Sequence, residues 1–331
     1  MSRPSEDELI AEFFAPLAGL GAFGLRDDAA SLAPPPGCDL VLTKDMLVAG
    51  EHFFPDDPPE SIARKALRVN LSDLAAKAAE PQGFLLGLAL PVDWTEDWLA
   101  AFARGLGGDA EAYGCPLLGG DTVKTPGPLT LSVTAFGAAP RGRMIPRGGA
   151  AAGDLIYATG TIGDAALGLQ LRLDAAEDRH WTRAASRHAK AYLADRYLLP
   201  QPRLALREPL RAHAHAAMDI SDGLAGDLAK MLRLAGLTAE IEASALPLSD
   251  AAREVLMRAP DVLPIILGGG DDYEILCAIP PERRAAFEAA AAAAGCAVCA
   301  IGEAAPGLAP PAFKDQEGKT IALAKASYQH F

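Results

Sequence analysis

Apolar residues recur along this chain with two periods, and together these periods lay out its elements. Between residues 61 and 79, Leu67, Leu71, Leu74 and Ala78 fall on one stripe of a helix, with Asn70, Asp73 and Lys77 on a second, polar stripe. Residues 6–20 repeat the helical spacing with Leu9, Phe13 and Leu17, and residues 96–113 predict a further helix. Short apolar runs at 39–43, 84–90, 117–122, 154–159, 239–242 and 273–279 predict strands, and the alternation over 129–136 predicts another. Helices are expected again at 164–173, 179–196, 203–216 and 248–258, and the alanine-rich run 282–294 is a good helix former. Strands interleaved with helices predict an α/β protein, or more loosely α+β, in two domains. The basic, glycine-containing run 141–149 marks the boundary, giving an N-terminal domain at 1–147 and a C-terminal domain at 148–331.

The first chemistry lies in Ala217-Met218-Asp219-Ile220-Ser221-Asp222-Gly223-Leu224. An apolar run ends in two carboxylates and a hydroxyl, a glycine releases the chain, and Leu224, Leu228, Met231 and Leu232 then recur at helical spacing. The carboxylates therefore sit where a strand ends and a helix begins. Free N–H groups at a helix start suit phosphate oxygens, and carboxylates beside a phosphate need a cation between them. That points to a magnesium–phosphate site; the plainer alternative is that Ser221 or Asp222 only caps the helix.

Charge and cysteine content narrow the field. A net charge of −13 without any basic block argues against nucleic acid as a partner and suits a site that gathers divalent cations. Half of the 331 residues are hydrophobic, enough for a large core. Cys38, Cys115, Cys277, Cys296 and Cys299 are sparse and odd in number, which fits a reducing compartment, and an isolated C-x-x-C at 296–299 is a weak metal signal. No apolar stretch is long enough to span a bilayer and no signal-peptide core follows the polar N-terminus, so a soluble, cytoplasmic protein is expected.

Further acids, almost all at strand ends or beside glycines, join Asp219 and Asp222: Asp28, Asp45, Asp73, Asp121, Asp271 and Asp272. Clustered carboxylates repel unless cations neutralise them. Hard oxygen donors without a His/Cys cluster select magnesium over zinc, and magnesium completes its shell with phosphate oxygens and water. ATP chemistry is then the natural expectation, yet the usual phosphate loop is missing: Phe313 stands where the first glycine before Gly318-Lys319-Thr320 belongs. The Gly160–Gly163 loop has the strand-turn-helix context of a phosphate loop without dinucleotide spacing. Arg147, in the basic run, is the favoured charge for a transferring phosphoryl group. The pieces 70–77 and 118–121 also echo 219–230 and 267–271, a hint that the halves share a plan.

At this point several motifs resemble those of the thiamine-monophosphate kinases. They are Asp27-Asp28-Ala29-Ala30, the 43–53 run from Thr43 through Asp45 to His52-Phe53, the 65–77 run through Asn70 and Asp73, Gly119-Gly120-Asp121-Thr122, Asp219-Ile220-Ser221-Asp222-Gly223-Leu224, and Gly269-Gly270-Asp271-Asp272-Tyr273-Glu274. The order holds over nearly the whole chain. Single pieces also resemble aminoimidazole ribonucleotide synthetase, selenophosphate synthetase and a hydrogenase maturation protein.

The resemblance implies ATP-dependent, magnesium-dependent phosphorylation of thiamine monophosphate to thiamine diphosphate by direct in-line transfer. It implies a homodimer whose N-terminal mixed sheets pair into a barrel, with an α/β sandwich domain at each C-terminus. Carried over by position, it implies magnesium ligands at Asp28, Thr43, Asp45, Asp73, Asp121, Asp219 and Asp222. It implies nucleotide contacts at Gly120, Asp121, Arg147 and Ser221, and substrate contacts at His52, Asp271 and Tyr328, with Asp73, Asp121 and Arg147 central to catalysis. This sequence departs from the pattern at Arg26, at Lys44, at Asp271 in place of Glu, and at Tyr328 in place of Trp. The competing readings are another ATP-using synthetase of the same superfamily and a non-catalytic magnesium–nucleotide module.

Overall fold

The computed structural model describes residues 5–174, 179–323 and 327–328. The chain divides into two units, Met1–Leu74 with Ala79–Arg143, and Ala75–Ala78 with Met144–Phe331. Each is built on a mixed sheet with helices, the two-domain α+β architecture that the periodicities predict.

The first unit holds a four-stranded sheet of β1 (Cys38–Val48), β2 (Glu80–Leu90), β3 (Leu117–Lys124) and β4 (Thr130–Pro140), in the order β1-β4-β2-β3. β4 runs antiparallel to both β1 and β2, and β3 runs parallel to β2. Helix α1 (Pro59–Ala76) buries Ala63, Leu67, Leu71 and Leu74 completely. Helix α2 (Glu96–Ala112) starts at Thr95, whose hydroxyl accepts the Trp98 N–H at 3.2 Å. Arg68 joins the two helices through a two-pronged ion pair with buried Asp109, at 2.5 and 2.9 Å.

Two expectations need correction here. β1 extends to Val48, so Asp45 lies inside a strand rather than at its end, and Asp121 likewise lies within β3. The N-terminal helix is not regular: one α-turn, Glu6–Leu9, passes into a π-turn, Ile10–Phe14, and a 3₁₀ turn, Ala15–Leu17, ends at Ala18. The wider π-turn shifts the buried stripe by one residue, so Phe14 is buried instead of Phe13.

The second unit holds a six-stranded sheet of β5 (Leu155–Thr159), β6 (Ala216–Asp219), β7 (Leu237–Glu242), β8 (Ile275–Ile279), β9 (Val298–Pro306) and β10 (Ala312–Lys314). Its order is β10-β7-β9-β5-β8-β6, antiparallel except for the β10–β7 pair. Helices α3 (Asp164–Leu173), α4 (Arg187–Leu198) and α5 (Leu224–Arg233) feed the main core, where Leu167, Leu193 and Leu228 meet Ile156 and Ala158 of β5. Tyr157 points to the other face and meets Phe287 of the Arg284–Ala293 helix edge-on at 5.2 Å. Central strands covered on both faces explain why β5 and β8 read as unbroken apolar runs.

The single helix expected at 179–196 is two, because Ser186 caps a fresh helix by accepting the Ala189 N–H at 3.1 Å. The helix expected at 203–216 ends at His213, since Ala216 already belongs to β6. Among the described residues the two sheets differ in strand number and order, so the echo between the halves has no counterpart in topology.

Leu228 of α5 is completely buried, whereas Met257 is 79% exposed. Leu228→Ala is expected to lower unfolding free energy by about 2–5 kcal/mol, and Met257→Ala by no more than about 0.5 kcal/mol. Urea titrations of the two variants measure the contrast.

Candidate functional site

Strand register decides which candidate residues of the first unit share a face. Asp45 pairs with Val133, Val133 with Leu86, and Leu86 with Gly120, forming one cross-strand row. Thr43 stands one row along, opposite Ala135 and Phe84. Val133, Ala135 and Phe84 are buried, so Thr43, Asp45 and Gly120 belong to rows on the helix-covered face. Asp73 comes from α1 and accepts a short hydrogen bond from the Thr43 hydroxyl.

The next row runs Met46, Ser132, Gly87 and Asp121, and it lies on the opposite face. Asp28 and Asp121 line one cleft of about 670 Å³ there, with Asp27, Gly87, Gly119, Gly120, Ser132 and Thr134 among its walls. Phe14 and Ile10 of the N-terminal segment supply apolar wall. Within this unit, then, the sheet keeps Thr43, Asp45 and Asp73 on one side and Asp28 with Asp121 on the other. Among the described residues no group of three or more His, Cys, Asp or Glu side chains is assembled to hold a metal. The donors themselves are hard oxygens, the set that suits magnesium.

His52 sits in the turn after β1, where Gly50 has a φ of 87°. Its Nδ1 accepts the Val48 N–H at 3.1 Å, which places the ring proton on Nε2, and the Lys65 ammonium donates to its carbonyl at 3.1 Å.

In the second unit two loops are zipped together by backbone hydrogen bonds. β6 ends at Asp219, which is buried. Glu274 carbonyl accepts from Ile220 at 2.8 Å, Ile220 carbonyl from Tyr273 at 2.9 Å, and Ser221 carbonyl from Asp271 at 2.9 Å. Tyr328 N–H donates to the Asp222 carbonyl at 3.0 Å. The candidate ligands Asp219 and Asp222, the nucleotide candidate Ser221 and the substrate candidates Asp271 and Tyr328 thus share one locality. Gly223, with φ at 117°, lets the chain pass tightly against Gly268 and Gly269 before α5 begins. Arg147 is exposed, and its neighbour Pro146 accepts the Ala217 N–H at 3.1 Å, tying that loop to β6.

Neither Ser221 nor Asp222 caps the helix; its N-cap is Gly223, with no side-chain cap hydrogen bond. Asp222 instead pairs closely with Lys230, which also donates to Asp227 at 2.9 Å, and Asp227 accepts the Asp222 N–H at 2.9 Å. Burial pulls the Lys230 ammonium down, but the carboxylates of Asp222 and Asp227 outweigh it and raise its pKa. Burial raises Asp227 despite that lysine. The Gly160–Gly163 loop also has its own acceptor: Gly163 and Ala165 donate to Asp272 at 2.7 and 3.3 Å. Complete burial pushes Asp272 well above the carboxylate range. The C-x-x-C pair is quiet: burial pushes the Cys296 thiol up to about 11 and raises Cys299.

Comparison with known proteins places this geometry. Residues 26–139 match the N-terminal domain, and residues 151–309 the C-terminal domain, of the AIR synthase related proteins. A thiamine-monophosphate kinase of Caulobacter vibrioides is 41% identical over 99% of this chain and 91% of its own length, and one from Salmonella typhimurium is 40% identical over 93% and 91%. The crystal structure of thiamine-monophosphate kinase from Stenotrophomonas maltophilia K279a superposes with a TM-score of 0.79 at 38% identity, covering 90% of this chain and 91% of that one. AaThiL complexed with AMPPCP and TMP gives a TM-score of 0.77 at 29% identity over 94% and 97%. Two matched domains define an AIR synthase related protein. Within that class, the chain belongs to the thiamine-monophosphate kinase family.

Sequence reasoning passed over Lys230, Asp227 and the arginines around Glu274. Lys230 stands eight residues after Asp222 on the helix that follows, a spacing that could have flagged it.

Asp272 yields a pH prediction. Its folded pKa lies above the unfolded value of 3.8, so its contribution is fully present below that value and is lost as pH rises through the folded pKa. Unfolding free energy measured by urea titration from about pH 4 upward is expected to fall through this term in the wild type. The slope is expected to flatten in Asp272→Asn.

Proposed function

We propose that this protein transfers the γ-phosphoryl group of ATP to thiamine monophosphate, giving thiamine diphosphate and ADP. The observation that carries the reading is near-complete coverage of thiamine-monophosphate kinases, joined to a neighbour of the same fold complexed with AMPPCP and TMP. AMPPCP stands in for ATP, with a carbon between the last two phosphorus atoms, so that complex holds an ATP analogue together with TMP.

The reaction is an in-line displacement. A phosphate oxygen of thiamine monophosphate attacks the γ-phosphorus, the bond from that phosphorus to the β–γ bridging oxygen breaks, and ADP leaves with the electron pair. The attacking oxygen is already ionised, so no protein base is required. Asp28, Thr43, Asp45, Asp73, Asp121, Asp219 and Asp222 are the oxygen donors proposed to hold magnesium. Bound magnesium supplies the positive charge that lets two anions approach. The Thr43 hydroxyl orients the Asp73 carboxylate. Arg147 and the Gly120 and Ser221 positions take the nucleotide; His52, Asp271 and Tyr328 take thiamine monophosphate, with the Tyr328 ring offered for stacking.

A homodimer belongs to this reading. Leu42, Met46 and Val123 stand 61%, 54% and 50% exposed, and all three fall in rows on the face of the first sheet away from α1. A second copy pairing its sheet there into a barrel would cover them.

Thiamine monophosphate is expected to trigger ADP release from Mg·ATP, which an amide- or selenide-activating synthetase would not show. Asp73→Asn is expected to cut that turnover by roughly two orders of magnitude with little change in thermal midpoint; full activity in the variant contradicts the metal assignment. Sedimentation is expected to show a dimer, and a Leu42→Asp/Met46→Asp double variant a monomer. A monomeric wild type overturns the barrel.

A further inference from the structure

The loop that carries Asp271 holds two non-glycine residues in the left-handed region, Asp271 at φ 71° and Tyr273 at φ 50°. Such conformations cost of order 1 kcal/mol or more each and persist only where neighbours enforce them. The side chains along this loop alternate in burial. Asp271 and Tyr273 are half-buried, while Asp272 and Glu274 are inside. The two inward carboxylates serve as anchors on either side of the outward pair.

Asp272 anchors one side through the Gly163 and Ala165 amides. The other anchor is denser. Glu274 is fully buried and accepts from the Thr159 hydroxyl at 2.6 Å, from Arg196 Nη2 at 3.0 Å, and from both Nε and Nη2 of Arg203, the former at 2.6 Å. Thr159 Oγ1 in turn accepts the Ile275 N–H at 2.8 Å, so one hydroxyl joins the carboxylate to the first residue of β8. A side chain at Gly160 would collide with Glu274 and Arg203, so the loop before α3 is shaped around this cluster. A forked, planar guanidinium fixes a carboxylate in orientation as well as position.

We propose that Glu274, held by Arg203 and Arg196, is a positioning residue for thiamine monophosphate: it locks the strained 271–273 segment so that Asp271 presents its carboxylate to the substrate. This rests on the substrate assignment of Asp271 made above. Glu274 itself does not touch the substrate; it acts through the backbone of Tyr273 and Asp271. Its carbonyl and the Ile220–Tyr273 and Ser221–Asp271 hydrogen bonds carry the constraint along the loop. A cluster that merely stiffened the core would affect both substrates alike. A cluster that aims Asp271 affects thiamine monophosphate selectively.

Glu274→Gln and Arg203→Lys are the test variants, assayed as the full chain. Arg203→Lys keeps the charge and loses the fork; it folds even if Glu274→Gln, which leaves two arginines facing an uncharged amide, does not. The KM for thiamine monophosphate is expected to rise about tenfold in Glu274→Gln and by a smaller factor in Arg203→Lys, with the KM for ATP nearly unchanged. Hydrogen–deuterium exchange is expected to quicken at residues 269–273 and to stay unchanged at 284–293. Equal rises in both KM values, a wild-type KM for thiamine monophosphate in Arg203→Lys, or unaltered exchange at 269–273 overturns the proposal. A wild-type protein that makes no thiamine diphosphate overturns the functional reading instead, and the exchange result still decides whether the clamp exists.

Discussion

Side-chain alternation along four hydrogen-bonded strands is the constraint on which the first unit depends. Once β1 pairs with β4 over its full length, each residue of Cys38–Val48 is assigned to one face or the other. Thr43 and Asp45 join the face against α1, and Lys44 and Met46 take the other. The same rows carry through β4 and β2 to β3, so the Asp121 side chain is delivered to the face away from Thr43 and Asp45, while Gly120, with no side chain, leaves its backbone open to the same cleft. A slip of one residue would exchange every one of these roles. It would also turn Leu131, Val133 and Ala135 out of the core, which is why the register is secure.

In the second unit the organising force is electrostatic. Helix starts and tight glycine loops present N–H groups that attract anions, and here internal carboxylates occupy several of them: Asp272 at the start of α3, Asp227 at the 222 amide. The buried carboxylates Asp227 and Glu274 are each met by a cation, Lys230 for the first and Arg203 for the second. These anchored groups frame the exposed or half-exposed ones, Ser221, Asp222, Asp271 and Tyr328, that the proposed reaction uses.

Much of this was legible in the sequence. The α1 stripe, the strand-to-helix switch at Asp219–Leu224 and the apolar runs of β5 and β8 follow from periodicity, because burial on one or both faces leaves a direct imprint on composition. Motif order over the whole chain identified the family. Other features carry no local signal. Ser186 restarts a helix through one side-chain hydrogen bond, the π-turn at Ile10–Phe14 moves the buried aromatic by one position, and β1 outruns its apolar core because its polar residues pair with β4. Which face an aspartate occupies depends on partners far along the chain. The Arg196–Glu274–Arg203 cluster joins Glu274 to arginines 78 and 71 positions away, and nothing in its immediate surroundings announces it.

Two negatively charged reactants, a diffuse set of carboxylates and one exposed arginine make a coherent chemical picture only if cations and phosphates meet among them. The most direct measurement is incubation of the purified protein with Mg·ATP and thiamine monophosphate, followed by chromatographic identification of the products. Thiamine diphosphate and ADP appearing in equal amounts, and neither appearing when magnesium is chelated, is the result this account predicts. ADP formed without thiamine diphosphate, or no turnover with this substrate pair, would contradict it.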